Sequence, residues 1–251
     1  MLASPMEHLP LLLALLLVAG FTQGATGFGF GLVAMSVLPH VLDVREAVPL
    51  VSVFGLVLCL AMLWRYRAHV DPRRFLPVLA GVAVGTPLGA LYLRSINQQV
   101  VTGTLGAFLV VYATASLVAE RERRGAAPQV RISRRWGPPA GLLGGLIGGA
   151  FNTGGPPIIV YATARGWDAG AFKANLQVLF LFNTATQLIL FASWGMITPE
   201  ILRLDLIGLP ALLVGLFAGM WASARLDAVR FRRIVLALLV VFGVVFLVRT
   251  F

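Results

Sequence analysis

Uncharged runs divide this chain. The first extends from His8 to Leu42, and Ala47–Trp64, Phe75–Leu93 and Ser95–Ala119 follow. A polar stretch, ERERRGAAPQVRISRR, then occupies Glu120 to Arg135. Four more runs come after it: Trp136–Ala164, Ala174–Pro199, Leu206–Ala224 and Ile234–Val248. Most are close to the roughly 20 residues a membrane-spanning helix requires. They are continuously apolar rather than alternating. Lipid tolerates only helices or closed barrels, so the pattern predicts helices. The expected fold class is an all-α integral membrane protein with eight hydrophobic segments, four on each side of a basic linker.

Segments one and five are too long for one span, and both are rich in glycine. The first contains GFTQGATGFGFG (Gly20–Gly31) and the fifth GLLGGLIGGAFNTGG (Gly141–Gly155). Each opens its half of the chain. The halves also match at an offset of about 125–130 residues. GATGFGFG (Gly24–Gly31) falls near GAFNTGGP (Gly149–Pro156), VGTPLG (Val84–Gly89) on VGLFAG (Val214–Gly219), and REAVPLVSVF (Arg45–Phe54) near FKANLQVLFLF (Phe172–Phe182). Three matches in the same order predict an internal duplication. The expected organisation is a first transmembrane repeat over 1–119, a cytoplasmic linker over 120–136 and a second repeat over 137–251.

Charge refines the topology. The 251 residues carry a net charge of +10, with only 12% charged and 59% hydrophobic. That excludes a soluble domain, which has about 25% charged residues. The bases cluster between the apolar runs, which assigns them to membrane orientation rather than to nucleic acid. With eight full crossings the two sides hold twelve and eight of the basic residues. If segments one and five instead enter and leave on one side, the cytoplasm holds sixteen and the outside four. The positive-inside rule prefers the second arrangement. Each half then has three crossings and one re-entrant hairpin, and the halves are inverted. Inverted repeats with broken helices meeting near the midplane are a transporter plan. The N-terminus, MLASPMEHLP, has no basic residue before its apolar run, unlike a cleaved secretory signal.

The breaks carry the candidate chemistry. Glycine lets a backbone turn, and proline suits the first turn of a helix. NTGGPP therefore reads as one half-helix ending around Asn152–Gly154 and another starting near Pro156. The matching restart in the first half is expected around Gly27–Gly31. A half-helix N-terminus at membrane depth has free N–H groups and a positive dipole end, which suit an anion. The candidate substrate-binding residues are Gln23, Thr26, Gly27, Gly29, Asn152, Thr153, Gly154, Gly155 and Pro156. Polar residues of segment six, Asn175, Gln177 and Asn183, join them, with helix–helix hydrogen bonding as the alternative role. Thr184 and Gln187 share that segment, and Ser52 is a minor candidate by repeat position. Arg45 and Lys173, at equivalent places before segments two and six, could steer an anion from either side or simply anchor at the interface. Close helix packing accounts for Gly85, Gly89, Gly215 and Gly219.

All ten Asp and Glu residues lie outside the expected span centres, and no His lies mid-span. No HExxH, nucleophile–base pair or Walker A motif is present, so no catalytic residue, metal site or cofactor is expected. The lone Cys59 excludes an internal disulfide and reads as a small buried hydrophobe.

The glycine-rich first segment, GGAFNTGGPP (Gly148–Pro157) after a mid-chain linker, the basic residues before segments two and six and the two four-segment halves resemble the sulfite exporter TauE/SafE family. The resemblance covers about Leu9 to Val248. It implies a multi-pass transporter of the bacterial-type inner membrane. Its partners would be the lipid bilayer and a small sulfur-containing anion such as sulfite or an organosulfonate, with no nucleic acid. Asn152 stands where a small residue such as glycine is expected. The resulting expectation is an exporter working by alternating access around two helix breaks. The alternatives are a transporter or channel for another small anion or organic acid, and a non-transport scaffold. Export needs no proton relay, because an inside-negative potential drives an anion outward by about 2.3 kcal/mol per charge per 100 mV. The sequence leaves the oligomeric state open.

Overall fold

The computed structural model describes residues 9–122 and 132–223, and in the last segment residues 236, 237, 239–241, 243–245 and 248. Every regular element among the described residues is helical. The first segment is split into α1 (Leu9–Thr26) and α2 (Phe30–Val37). The long helices α3 (Val44–Tyr66), α4 (Pro72–Ser95) and α5 (Gln98–Glu122) follow. The fifth segment is split in the same way, into α6 (Gly137–Phe151) and α7 (Gly155–Ala164). Then come α8 (Ala169–Ser193) and α9 (Pro199–Ala222). Among the described residues six helices, α1, α3, α4, α5, α8 and α9, are long and apolar enough to cross a membrane. Residues 123–131 of the basic linker lie outside the described residues, as do six of the fifteen residues of the eighth segment.

Long helices that begin at the ends of the bundle are capped by their own sequence. Asp43, Asp71, Asp168 and Thr198 precede α3, α4, α8 and α9, and each side chain accepts a first-turn N–H. The carboxyl of Asp168 is held below the usual carboxylate range by the Ala171 N–H it accepts and by Arg74. The two helices that begin inside the bundle differ. Gly29 and Gly154 precede α2 and α7, and neither has a side chain with which to cap.

Two glycine seams hold the scaffold. On α1 and α9, a side-chain carbon at Gly24 would lie 2.2 Å from the Leu216 carbonyl oxygen, and one at Gly219 would lie 2.2 Å from that of Phe21. On α4 and α6, Gly85 faces the Leu142 carbonyl at 2.3 Å and Gly149 that of Thr86 at 2.2 Å by the same measure. Backbones touch along both seams, which is how helices gain packing where lipid offers no hydrophobic drive. The sequence-based role for Gly85, Gly89, Gly215 and Gly219 matches these contacts.

Contacts sort the helix ends into two groups. At one end, Arg165 donates to the Ile132 carbonyl, Arg74 pairs with Asp168 at 2.9 Å, and Gly170 abuts His69. At the other, Arg45 donates to the carbonyls of Leu93 and Ile96, and the Arg94 guanidinium lies over the Trp194 ring. Lined up by their glycine contacts, α1 runs parallel to α9, and α6 parallel to α4.

Enlarging a seam glycine should break the scaffold. Gly215→Leu places a side chain against the Leu17 carbonyl and is expected to cost about 3 kcal/mol or more. Gly55→Ala meets only an ordinary contact with Thr184 and should cost less than about 1 kcal/mol. Thermal unfolding in detergent distinguishes the two.

Candidate functional site

Both breaks use a left-handed residue to end the first half-helix. In the first, Gly27 has φ 87° and its N–H bonds to the Gln23 carbonyl at 2.7 Å. In the second, Asn152 has φ 57° and its N–H bonds to the Gly148 carbonyl at 2.8 Å. These are αL caps, where glycine is usual and asparagine is the common alternative. Asn152 thus occupies the place of a glycine and adds a side chain that glycine lacks. Its amide donates to the Val48 carbonyl at 2.8 Å and to Ser52 Oγ at 3.0 Å, fastening the turn to α3.

The carbonyl sides of both breaks are satisfied by amides of α8. Gln177 Nε2 donates to the Gly27 carbonyl at 2.7 Å. Gln177 Oε1 accepts from Gln23 Nε2, and Gln23 Oε1 accepts the Phe30 N–H at 3.2 Å. Gln187 Nε2 donates to the carbonyls of Gly148 and Gly149, at the end of α6. Asn183 positions Gln187 at 3.0 Å and accepts from Thr86 Oγ1 at 2.8 Å. Thr26 braces its own turn, accepting the Phe28 N–H while its hydroxyl lies within reach of the Thr22 and Phe28 carbonyls.

The N–H side of the second break is left open. Helix α7 starts with Gly155 at its first position and prolines at its second and third, which have no N–H. The expected set of free N–H groups is therefore reduced to those of Gly154 and Gly155. Neither has a protein acceptor among the described residues. Beside them, Thr153 is 2% exposed and its hydroxyl has no hydrogen-bond partner. A buried hydroxyl without a partner is unfavourable, so its position asks for a ligand or water.

The two breaks meet. A side-chain carbon at Gly31 would lie 1.9 Å from the Asn152 carbonyl oxygen, so only glycine fits there. Between the breaks lies a cavity of about 60 Å³. By the same measure one water needs roughly 10–15 Å³. The space therefore suits a few waters or one compact polyatomic ion. Gln23, Gly29, Asn152, Thr153, Gly154, Gly155 and Asn183 contribute to its wall. Phe28, Phe30, Phe180 and Val51 supply apolar surface, and no charged side chain is among the described residues lining it. Its field comes from the half-helix N-termini, which carry partial positive charge.

The structure does not bring every candidate to this cavity. Thr26, Gly27, Pro156 and Gln177 stand behind its wall as braces of the breaks. Asn175 lies at the end of the bundle, where its Oδ1 accepts the Asp71 N–H and its Nδ2 has no partner. Arg45 is engaged with the end of α4. Lys173 packs its Cγ beneath Gly27 and reaches Tyr66, with Nζ 3.4 Å from Oη. Sequence reasoning read Cys59 only as a small buried hydrophobe, which its burial matches, and gave no role to Thr86 or the aromatics of GFGFG. Cys59 lines the cavity as a buried thiol, and Thr86 supports the second break through its hydroxyl bond to Asn183 and its backbone contact with Gly149. The alternation of Phe28 and Phe30 with glycine is the one signal that could have flagged the aromatics.

The model of the sulfite exporter TauE/SafE family matches residues 12–246. The chain is also similar to the "probable sulfite/organosulfonate exporter TauE" of Cupriavidus necator. The two are 24% identical over 94% of this chain and 93% of that protein. No solved structure matches the chain.

Asn152 has two separable roles. Asn152→Gly keeps the left-handed turn and loses the bonds to α3, at an expected cost of about 1–2 kcal/mol. Asn152→Leu also forces a bulky residue into that turn and should cost about 1–3 kcal/mol more. Comparing the three proteins by thermal unfolding checks the order.

Proposed function

Because this chain belongs to the sulfite exporter TauE/SafE family, a family of multi-pass cytoplasmic-membrane transporters and not enzymes, we propose that it exports sulfite or a similarly compact sulfur oxyanion from the cavity between its helix breaks. The observation that carries this reading is the set of unused donors there: the Thr153 hydroxyl and the Gly154 and Gly155 N–H groups, beside a small cavity with no charged side chain among the described residues that line it. Neutral donors and helix dipoles recognise an anion and still let it leave, since no buried counter-charge holds it. The volume of about 60 Å³ favours an inorganic oxyanion over the longer organosulfonates that the relative's name includes.

The transport cycle we propose uses two inverted repeats, 1–119 and 137–251, joined by the cytoplasmic linker 120–136. Several contacts support it. The entry to α6 and the exit from α7 lie at one end, beside Ile132, Asp168 and His69. The start of α1 runs with α9 from the opposite end, to which α2 returns where Arg45 opens α3. Each broken segment is then a re-entrant hairpin, one from each side, with their tips in contact at Gly31 and Asn152. Alternating access follows if one hairpin withdraws at a time. Lys173, beneath Gly27, is placed to attract the anion from the cytoplasmic side. The membrane potential supplies the outward drive.

Reconstituted protein should exchange labelled sulfite against unlabelled sulfite, and taurine should compete poorly. Thr153→Val removes the free hydroxyl at constant shape. It should weaken apparent sulfite affinity by roughly tenfold without lowering thermal stability. No exchange of any sulfur oxyanion by the wild type would overturn the reading. A C-terminal tag should be accessible from outside the cell, and a cytoplasmic tag would remove the inverted arrangement.

A further inference from the structure

Asp205 lies in the second turn of α9, within a helix long and apolar enough to span the membrane. It is 6% exposed, and neither carboxyl oxygen has a hydrogen-bond partner. One turn further on, Gly208 abuts Leu16 of α1 and Phe54 of α3. Asp205, one turn earlier, therefore lies on the side of α9 that packs on those two helices. No ionisable residue occurs in α1 (Leu9–Thr26) or in α3 between Ala47 and Leu58. Arg45, at the start of α3, is occupied by the carbonyls of Leu93 and Ile96. Glu46 on α3, and Glu200 and Arg203 on α9, are exposed. Among the described residues nothing in these surroundings compensates a negative charge, and a carboxyl buried without a partner neutralises instead.

The place of this group gives it a consequence. It sits where α9 packs on α1, beside the seam made by Gly20, Gly24, Gly215 and Gly219. Helix α1 is the first half of the first broken segment. Phe54 touches Gly208 on one side and on the other packs edge-on against Phe30, the first residue of α2, at 6.4 Å. We infer that Asp205 is a proton-binding site that controls this seam. With the proton bound, the seam closes as seen here. When the proton leaves, the ionised carboxylate requires water, and the α1–α2 hairpin parts from α9. The proton moves between the carboxyl and solvent, with no other bond made or broken. The proton site stands on the structure alone. Its coupling to the anion rests on the transport reading above.

The test compares wild type, Asp205→Asn and Asp205→Glu, each purified whole and reconstituted. Infrared difference spectra taken from about pH 5 to about pH 9 should contain a titrating protonated-carboxyl band in wild type that Asp205→Asn lacks. Over the same range, the ratio of wild-type to Asp205→Asn sulfite exchange should change several-fold, and Asp205→Glu should restore the wild-type profile. Sulfite's own titration is common to all three proteins and cancels in the ratio. Identical infrared spectra for wild type and Asp205→Asn would overturn the proton site. A constant exchange ratio would overturn the coupling. Absence of exchange in all three proteins would count against the transport reading, while the infrared spectra still decide the proton site.

Discussion

A backbone interrupted at membrane depth must find partners for its polar groups without help from water. This chain interrupts two helices there and leaves the demand unmet at the start of α7. The carbonyls that end α1 and α6 are taken up by Gln177 and Gln187, both from α8, and by the left-handed residues Gly27 and Asn152. The N–H groups that begin α7 receive no such care. Two of them are removed by proline, and the other two belong, like the unpartnered Thr153 hydroxyl, to residues that line a cavity. The result is a site whose acceptors are spent and whose donors are free. Such a site is electropositive although no charged residue is among the described residues that line it.

The rest of the bundle keeps that arrangement in place. Glycine seams bring α9 against α1 and α6 against α4 until their backbones touch. Each first half-helix is thereby held by a long helix from the other half of the chain. Helix α8 runs between the two breaks, bracing one through Gln177 and the other through Gln187. Thr86 extends the second brace to α4 through Asn183. A close-packed scaffold of this kind favours a few discrete arrangements over continuous deformation. That suits a site reached from one side at a time.

Much of this was legible in the sequence, because the features involved are local. Uncharged runs give the segments, and glycine and proline give the breaks at their true positions, to within a residue or two. The seam glycines follow from small-residue spacing. Asn152 was legible as a departure and not as a cap, since its meaning depends on a dihedral angle and on Val48 and Ser52, about a hundred residues away. Asn175 and Gln177 lie two positions apart, yet one serves the end of the bundle and the other a break. No periodicity in so polar a helix separates them. Asp205 was set aside because it lies near a segment's end. Burial between α1 and α3 is a property of packing, which composition does not record.

Locating the anion tests the central claim most directly. Selenite has the shape and charge of sulfite and scatters strongly, so its position can be read from a structure of the reconstituted protein. The account places it between the breaks, within hydrogen-bonding distance of the Thr153 hydroxyl and the Gly155 N–H. Selenite bound elsewhere, with the cavity still empty or filled by side chains, would contradict the account.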